Sequence, residues 1–229
     1  MSIFAVIPAG GKGIRSGFNL PKQYLKVNGK ELIAYTLEVF QNNRSVDDIT
    51  VSADPYYFDL LMDIKKKYSI TKLNRFIEGG LERQDSVYNA VKSLPASPED
   101  LVIVHDAARP LLPEKVLALA IATAKEKENA VVCIKAKDTL IRGDAVVEKY
   151  LDRDCVFYVQ TPQIFNYSIL IKAFAKAYKD NFYGTDESML VKRLRKKINI
   201  TEGSVYNFKV TSHEDLDILT KLVNQLTVT

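Results

Sequence analysis

Several short runs of the chain are apolar at almost every position: Ile3-Phe4-Ala5-Val6-Ile7, Ile49-Thr50-Val51, Phe76-Ile77, Leu101-Val102-Ile103-Val104 and Ala130-Val131-Val132-Cys133-Ile134. A strand with one wet face alternates apolar and polar residues. Strands without that alternation must be covered on both faces, as in parallel sheets layered between helices. The intervening segments supply the helices. Leu32, Tyr35, Thr36, Val39 and Phe40 share one helical stripe, Val87, Ala90, Val91 and Leu94 share another, and Pro113 stands where a helix through Lys127 would begin. This β-α-β alternation predicts an α/β fold with a largely parallel central sheet flanked by helices. Its connections should be right-handed and its ligand loops should lie at the carboxyl ends of strands.

The pattern changes near Lys137. Residues 138–160 mix turns, charges and short β segments with no long helical stripe, and read as an arm protruding from the sheet. Helices are expected over 167–180 and 185–196, a strand pair near 198–210, and a last helix over Asp215 to Leu226. With no internal repeat, low-complexity tract or Pro/Gly linker, the 229 residues read as a single domain, 1–229, carrying the arm at about 138–160.

A hydrophobic fraction of 47% with 26% charged residues excludes collagen-like and disordered classes. The net charge of +4, from 32 Lys+Arg against 28 Asp+Glu, is too balanced to point to nucleic acid or an anionic membrane as partner. The basic runs Lys65-Lys66-Lys67 and Arg193 to Lys197 fall near expected helix C-termini, where cations complement the helix dipole. No stretch approaches the roughly 18 apolar residues of a membrane span, and the Ile3–Ile7 run is too short for a signal-peptide core. A cytoplasmic protein is expected. Cys133 and Cys155 lie in apolar surroundings outside any CxxC, and read as buried, reduced thiols.

Charged and glycine-rich segments follow the expected strands. Pro8-Ala9-Gly10-Gly11-Lys12-Gly13-Ile14-Arg15 comes directly after the first one. Glycines there let backbone N–H groups approach phosphates, and Arg15 adds fixed charge. The loop fits neither the Walker pattern, because Ile14 follows Gly13, nor the dinucleotide fingerprint, because Ser16 stands where Gly or Ala is required. Lys22, in Pro21-Lys22-Gln23-Tyr24, is close enough in the chain to fold over the same phosphates. Gly79-Gly80-Leu81-Glu82-Arg83-Gln84-Asp85-Ser86 enters a helix with Arg83 and Ser86 on one face of its first turns. In His105-Asp106-Ala107-Ala108-Arg109-Pro110, Asp106 is placed to hold Mg²⁺ on a triphosphate, or else to pair with Arg109 in the turn; His105 reads as structural. Thr185-Asp186-Glu187 reads as a helix N-terminus, and Thr211 or Ser212 as the cap of the last helix.

These segments, taken with Asp138-Thr139, Asp152-Arg153, Gln160-Thr161-Pro162-Gln163, Phe165 and Asn207-Phe208-Lys209-Val210-Thr211, resemble in content and order the 2-C-methyl-D-erythritol 4-phosphate cytidylyltransferase family. The matches run from residue 3 to about 220. The resemblance implies a Rossmann-like nucleotidyltransferase domain that transfers CMP from CTP to methylerythritol phosphate and releases pyrophosphate, with Mg²⁺ as cofactor. It implies catalytic roles for Arg15, Lys22, Arg153 and Lys209: the first two steady the triphosphate, and the last two, with Thr139, hold the sugar phosphate. Ala9, Gly10, Gly11, Gly13, Gly80, Arg83, Ser86, Asp106, Ala107 and Thr139 would contact substrate, with Asp106 on the metal. It also implies a homodimer in which the 138–160 arm reaches the neighbouring site. A ribitol-5-phosphate cytidylyltransferase would share the nucleotide loops, although Ala107-Ala108 and Glu202-Gly203-Ser204 look more like the methylerythritol enzymes. A non-catalytic nucleotide-binding module is the reading from a different class; retention of the cationic candidates argues against it.

Overall fold

The computed structural model describes residues 1–11 and 20–226. Its main sheet has seven strands: β1 (Ile3–Pro8), β4 (Asp48–Ala53), β5 (Leu73–Glu78), β6 (Leu101–Val104), β7 (Asn129–Lys135), β10 (Phe157–Asn166) and β11 (Ile200–Glu202), in the spatial order β11-β7-β10-β6-β1-β4-β5. β10 runs antiparallel to both its neighbours, β6 and β7, and the other pairings are parallel. The short strands β2 (Lys26–Val27) and β3 (Lys30–Glu31) form one separate pair, and β8 (Leu140–Gly143) and β9 (Val147–Leu151) another.

The unbroken apolar runs are explained by helices on both faces. On one side Ile3, Ala5 and Ile7 of β1 and Leu101 and Ile103 of β6 pack under α1 (Leu32–Asn42), α2 (Phe58–Lys67) and α4 (Glu114–Lys127). The alternate residues Phe4, Val6, Val102 and Val104 face α3 (Arg83–Lys92), α5 (Tyr167–Lys179) and α6 (Glu187–Lys192). A third cluster, in which Val27, Leu32 and Ala108 meet Val210, Leu219 and Val223, docks α7 (His213–Leu226) and the segment before it against the loop that follows β6. The Ser212 hydroxyl caps α7 by accepting from Asp215 N–H at 3.3 Å, and the Asp215 carboxylate accepts from Ser212 N–H at 3.0 Å in return.

Three expectations require correction. The strand pair near 198–210 is one strand, β11, which joins β7; the chain then turns, because side chains take the backbone groups that a second strand would pair. Gln160 accepts from Ser204 N–H and donates to Ser204 O, Arg109 donates to Asn207 O, Asn207 N–H closes a turn on Ser204 O, and Val210 N–H donates to Ala108 O. The helix expected over 185–196 is only α6: Asp186 caps it by accepting from Met189 N–H, and the chain beyond Lys192 turns through a left-handed Arg195 (φ 59°). Cys133 is buried as expected, but Cys155 is exposed, since it lies in the 3-10 turn Arg153–Cys155 of the arm, away from either core. The 138–160 region contains the β8–β9 hairpin, that turn and the first residues of β10.

Candidate active site

The loops that leave the carboxyl ends of the parallel strands converge on one rim, and their first bonds continue the strand ladders. Ala9 N–H donates to Ser52 O, Gly79 N–H to Ala53 O, and His105 N–H to Val6 O. A cleft of about 210 Å³ opens there, lined by Arg83, Asp106, Arg109, Gln160, Thr161, Asp186 and Lys209 among others. A larger groove of about 280 Å³ lies at the opposite rim, around Glu99, Glu128, Asn166 and Lys172, and is lined by none of the candidate catalytic or substrate-binding residues.

Asp106 is the centre of the cleft. Its Oδ1 lies 3.2 Å from Arg83 Nε, and its Oδ2 lies 3.3 Å from Arg109 Nε and 3.1 Å from Lys209 Nζ. Burial alone would raise its pKa, but the cations, Arg83 foremost, hold the carboxyl well below the usual carboxylate range. The ion pair with Arg109 read from sequence is therefore present, as one bond of a larger cluster. Arg83 is fixed from a second side by Glu187, whose two carboxylate oxygens accept from Nη1 and Nη2 at 2.7 and 3.1 Å. Burial would lower the Arg83 pKa, and Glu187 and Asp106 more than reverse this.

Backbone and neutral side chains hold the Asp106 loop in place. Asp106 N–H donates to the Thr161 hydroxyl, which contacts His105 Nδ1 at 3.1 Å, and His105 Nε2 meets Arg109 O at 3.0 Å. His105 is fully buried, and that burial pushes its pKa down to about 4, so the ring is neutral near pH 7. Ala107 is buried, and its carbonyl accepts from the Thr36 hydroxyl. Asn207 donates to Thr161 O at 2.7 Å, which brings Lys209 alongside β10.

The glycine segments sit beside this cluster. Ser86 is buried; its hydroxyl accepts from Gly80 N–H at 3.0 Å and donates to Glu82 O. Cβ atoms added at Gly10 and Gly79 would lie 3.2 and 3.1 Å from that hydroxyl, so the two loops close tightly over Ser86. Ala9 and Gly11 are tied down by Gln23, whose amide donates to Ala9 O at 2.5 Å and Gly11 O at 3.0 Å. Lys22 begins the same 3-10 turn. Burial, followed by repulsion from Lys209, lowers its pKa, while Asp106 and Asp215 act in the opposite direction. Gly13 and Arg15 lie outside the described residues. Thr139 and Arg153 are exposed on the arm and do not line the cleft; Arg153 Nη1 donates to Lys137 O.

The structure thus brings Lys22, Arg83, Asp106 and Lys209 together beside the glycine loops, and holds Thr139 and Arg153 apart. Glu187, Gln23 and Thr161 have structural or positioning roles there that their spacing did not announce. From sequence, Glu187 reads only as an acid in the first turn of a helix, after the N-cap Asp186.

Comparison with known proteins identifies the family and supports the fold. The family model for 2-C-methyl-D-erythritol 4-phosphate cytidylyltransferase matches residues 3–225. A Clostridioides difficile protein of that name is 38% identical over 221 residues, covering 96% of this chain and 92% of the relative. The solved structure of 4-diphosphocytidyl-2C-methyl-D-erythritol synthase from Anaerococcus prevotii superposes with a TM-score of 0.85 at 27% identity, covering 97% of this chain and 96% of that one. The Thermus thermophilus cytidylyltransferase superposes with a TM-score of 0.81 at 29% identity, over 98% of this chain and 100% of that one. A match of such length, by sequence and by fold, leaves no segment of the sheet unaccounted for, and the chain belongs to the 2-C-methyl-D-erythritol 4-phosphate cytidylyltransferase family.

Proposed function

We infer that this chain transfers CMP from CTP to 2-C-methyl-D-erythritol 4-phosphate, giving the CDP-sugar alcohol and pyrophosphate, a step of non-mevalonate isoprenoid precursor synthesis. The observation that carries the reading is the cleft in which Arg83, Arg109 and Lys209 surround one buried carboxylate beside glycine loops, in a chain matching the family over residues 3–225. The attacking group is itself a phosphate, so the reaction needs no general base. What it needs is screening of two polyanions and their alignment for in-line attack. A site rich in fixed cations, with its one imidazole buried and neutral, suits that task.

In this reading Arg15 and Lys22 stabilise the charge that develops on the triphosphate, and the backbone of Ala9, Gly10, Gly11, Gly13 and Gly80 approaches the nucleotide. Arg83, Ser86 and Ala107 shape its pocket. Lys209 receives the sugar phosphate, with Thr139 and Arg153 supplied by the arm. Asp106 fits Mg²⁺: its carboxylate is ionised and lines the cleft, and a Mg²⁺ carried by a triphosphate needs only one or two protein carboxylates. The ion would offset charge on the triphosphate, and Lys209, the most exposed partner of Asp106, is the one free to move aside.

The chain acts as one domain, 1–229, in a homodimer. The arm supports this, since Ile141, Val146, Val147 and Tyr150 expose apolar surface on the β8–β9 hairpin, and Thr139 and Arg153 do not line the cleft of their own chain. Among the described residues no helix is long and apolar enough to cross a membrane, and the enzyme works in the cytoplasm.

The test is pyrophosphate release from CTP and Mg²⁺ with methylerythritol phosphate and, separately, ribitol phosphate. We expect turnover with the first. Turnover of ribitol phosphate alone would overturn the substrate assignment, and CTP binding without release from either acceptor would favour a non-catalytic module.

A further inference from the structure

Three consecutive residues at the start of α3 each grip the segment between α5 and α6 or its borders. Arg83 makes the two-pronged pair with Glu187, Gln84 donates to Phe182 O and accepts from Gly184 N–H, and Asp85 accepts from the Tyr178 hydroxyl at 2.6 Å. From the other side, Gln163 of β10 accepts from Ser188 N–H and donates to Asp186, which pins the first turn of α6 to the central sheet. Glu187 is 1% exposed and has Arg83 as its ion-pair partner. A carboxylate so buried is costly unless paired, and this one sits on the sheet-anchored end of a helix rather than on a loop.

The guanidinium of Arg83 has five N–H donors. Nε faces Asp106 and one donor on each terminal nitrogen faces Glu187, so two acids set the plane and leave two N–H groups for a ligand. Without Glu187, the Asp106 contact alone leaves the group free to pivot about one bond.

We propose that Glu187 is a positioning residue for the transferase reaction: it acts through Arg83, fixing that guanidinium against Asp106 so that its remaining donors meet the nucleotide phosphates. The proposal rests on the cytidylyl-transfer reading, and the wild-type assay with methylerythritol phosphate tests that reading first.

The experiment then compares wild type, Glu187→Gln, Glu187→Asp, Arg83→Lys, Arg83→Ala and the Arg83→Ala/Glu187→Gln double variant by steady-state kinetics, with thermal unfolding of each. Misplacing one phosphate-facing group should cost Glu187→Gln about 10²-fold in kcat/KM for CTP. KM for the sugar phosphate should change by less than about twofold. Arg83→Lys, which keeps the charge and loses the fork, should match that loss, and Glu187→Asp should recover part of it. In the Arg83→Ala background the Glu187→Gln change should cost less than about twofold, because its route of action is already gone. A folded Glu187→Gln enzyme with wild-type kcat/KM overturns the proposal, as does an undiminished loss in the Arg83→Ala background. Should Glu187→Gln fail to fold, Arg83→Lys and Glu187→Asp decide: wild-type CTP kinetics in both would also overturn it.

Discussion

Lys209 Nζ and Asp106 Oδ2 form a 3.1 Å ion pair in which the lysine side chain is 37% exposed and the aspartate 10%. The pair is asymmetric: Asp106 keeps Arg83 and Arg109 if Lys209 leaves, so the lysine is held near the cleft without being needed for the fold. We therefore expect Lys209→Ala to lower kcat/KM for the sugar phosphate by about 10²-fold. Unfolding free energy should fall by less than about 1 kcal/mol. Steady-state kinetics and urea denaturation of the same preparation check both halves, and a large stability loss would mark the lysine as structural.

His105 makes stability depend on pH. In the unfolded chain a histidine titrates near 6.5, and burial lowers the folded value to about 4. Between those values the unfolded state binds more protons, so stability is full above about pH 6.5 and is lost as pH falls toward 4, by up to about 3 kcal/mol. Asp106 also destabilises on acidification, but only below the unfolded carboxylate value of about 3.9. Urea midpoints measured from pH 7 to pH 4.5 should show the slope, and His105→Gln should flatten it.

Subunit complementation tests whether the arm serves a neighbour. Lys22→Ala and Arg153→Ala homodimers should each be nearly inactive, Lys22→Ala by about 10²-fold or more. If each site combines one chain's body with its partner's arm, a mixed dimer contains one site with both residues intact. Unfolding and refolding an equal mixture should then restore about a quarter of wild-type activity. No recovery, with mixed dimers shown to form, would place the arm over its own cleft.

The glycine loops differ in what they tolerate. A Cβ on Gly80 would lie 2.2 Å from Asp85 Cβ, where α3 begins and where Glu82 N–H donates to the Asp85 carboxylate. Gly80→Ala should cost about 1–3 kcal/mol of stability. Among the described residues, none lies within 4 Å of such a Cβ on Gly11, so Gly11→Ala should stay within about 0.5 kcal/mol of wild type. Thermal melts of the two variants side by side give the comparison.

The layers of the fold were legible because Phe4 and Val6 must be as apolar as Ile3, Ala5 and Ile7 when both faces of β1 are covered. Asp106 and Arg83 were legible because loops after strands are where ligand-binding charges collect; Lys22 was legible from its nearness in the chain to the first such loop, and Lys209 only through the family resemblance. Glu187 was not: a buried acid gives no periodic signal, and its partner lies 104 positions away. The turn at 203–207 was also hidden, since the groups replacing its ladder belong to Gln160 and Arg109, which are distant in sequence. Cys155 misled because a Val-Phe neighbourhood looks the same in a core and on an exposed arm.

The reversed direction of β10 decides where the arm emerges. Its first residues pair with the last residues of β7, Phe157 with Lys135, while its last residue, Asn166, pairs with Leu101 at the start of β6. A parallel strand in that slot would deliver Val156 and the hairpin before it to the far rim, beside Glu99 and Glu128. Because the strand is inverted, one unbroken length of backbone leads from the arm's base at Phe157 to Thr161, the residue that accepts from Asp106 N–H. Anything that grips the arm therefore pulls on a strand whose next residues lie against Asp106 in the cleft.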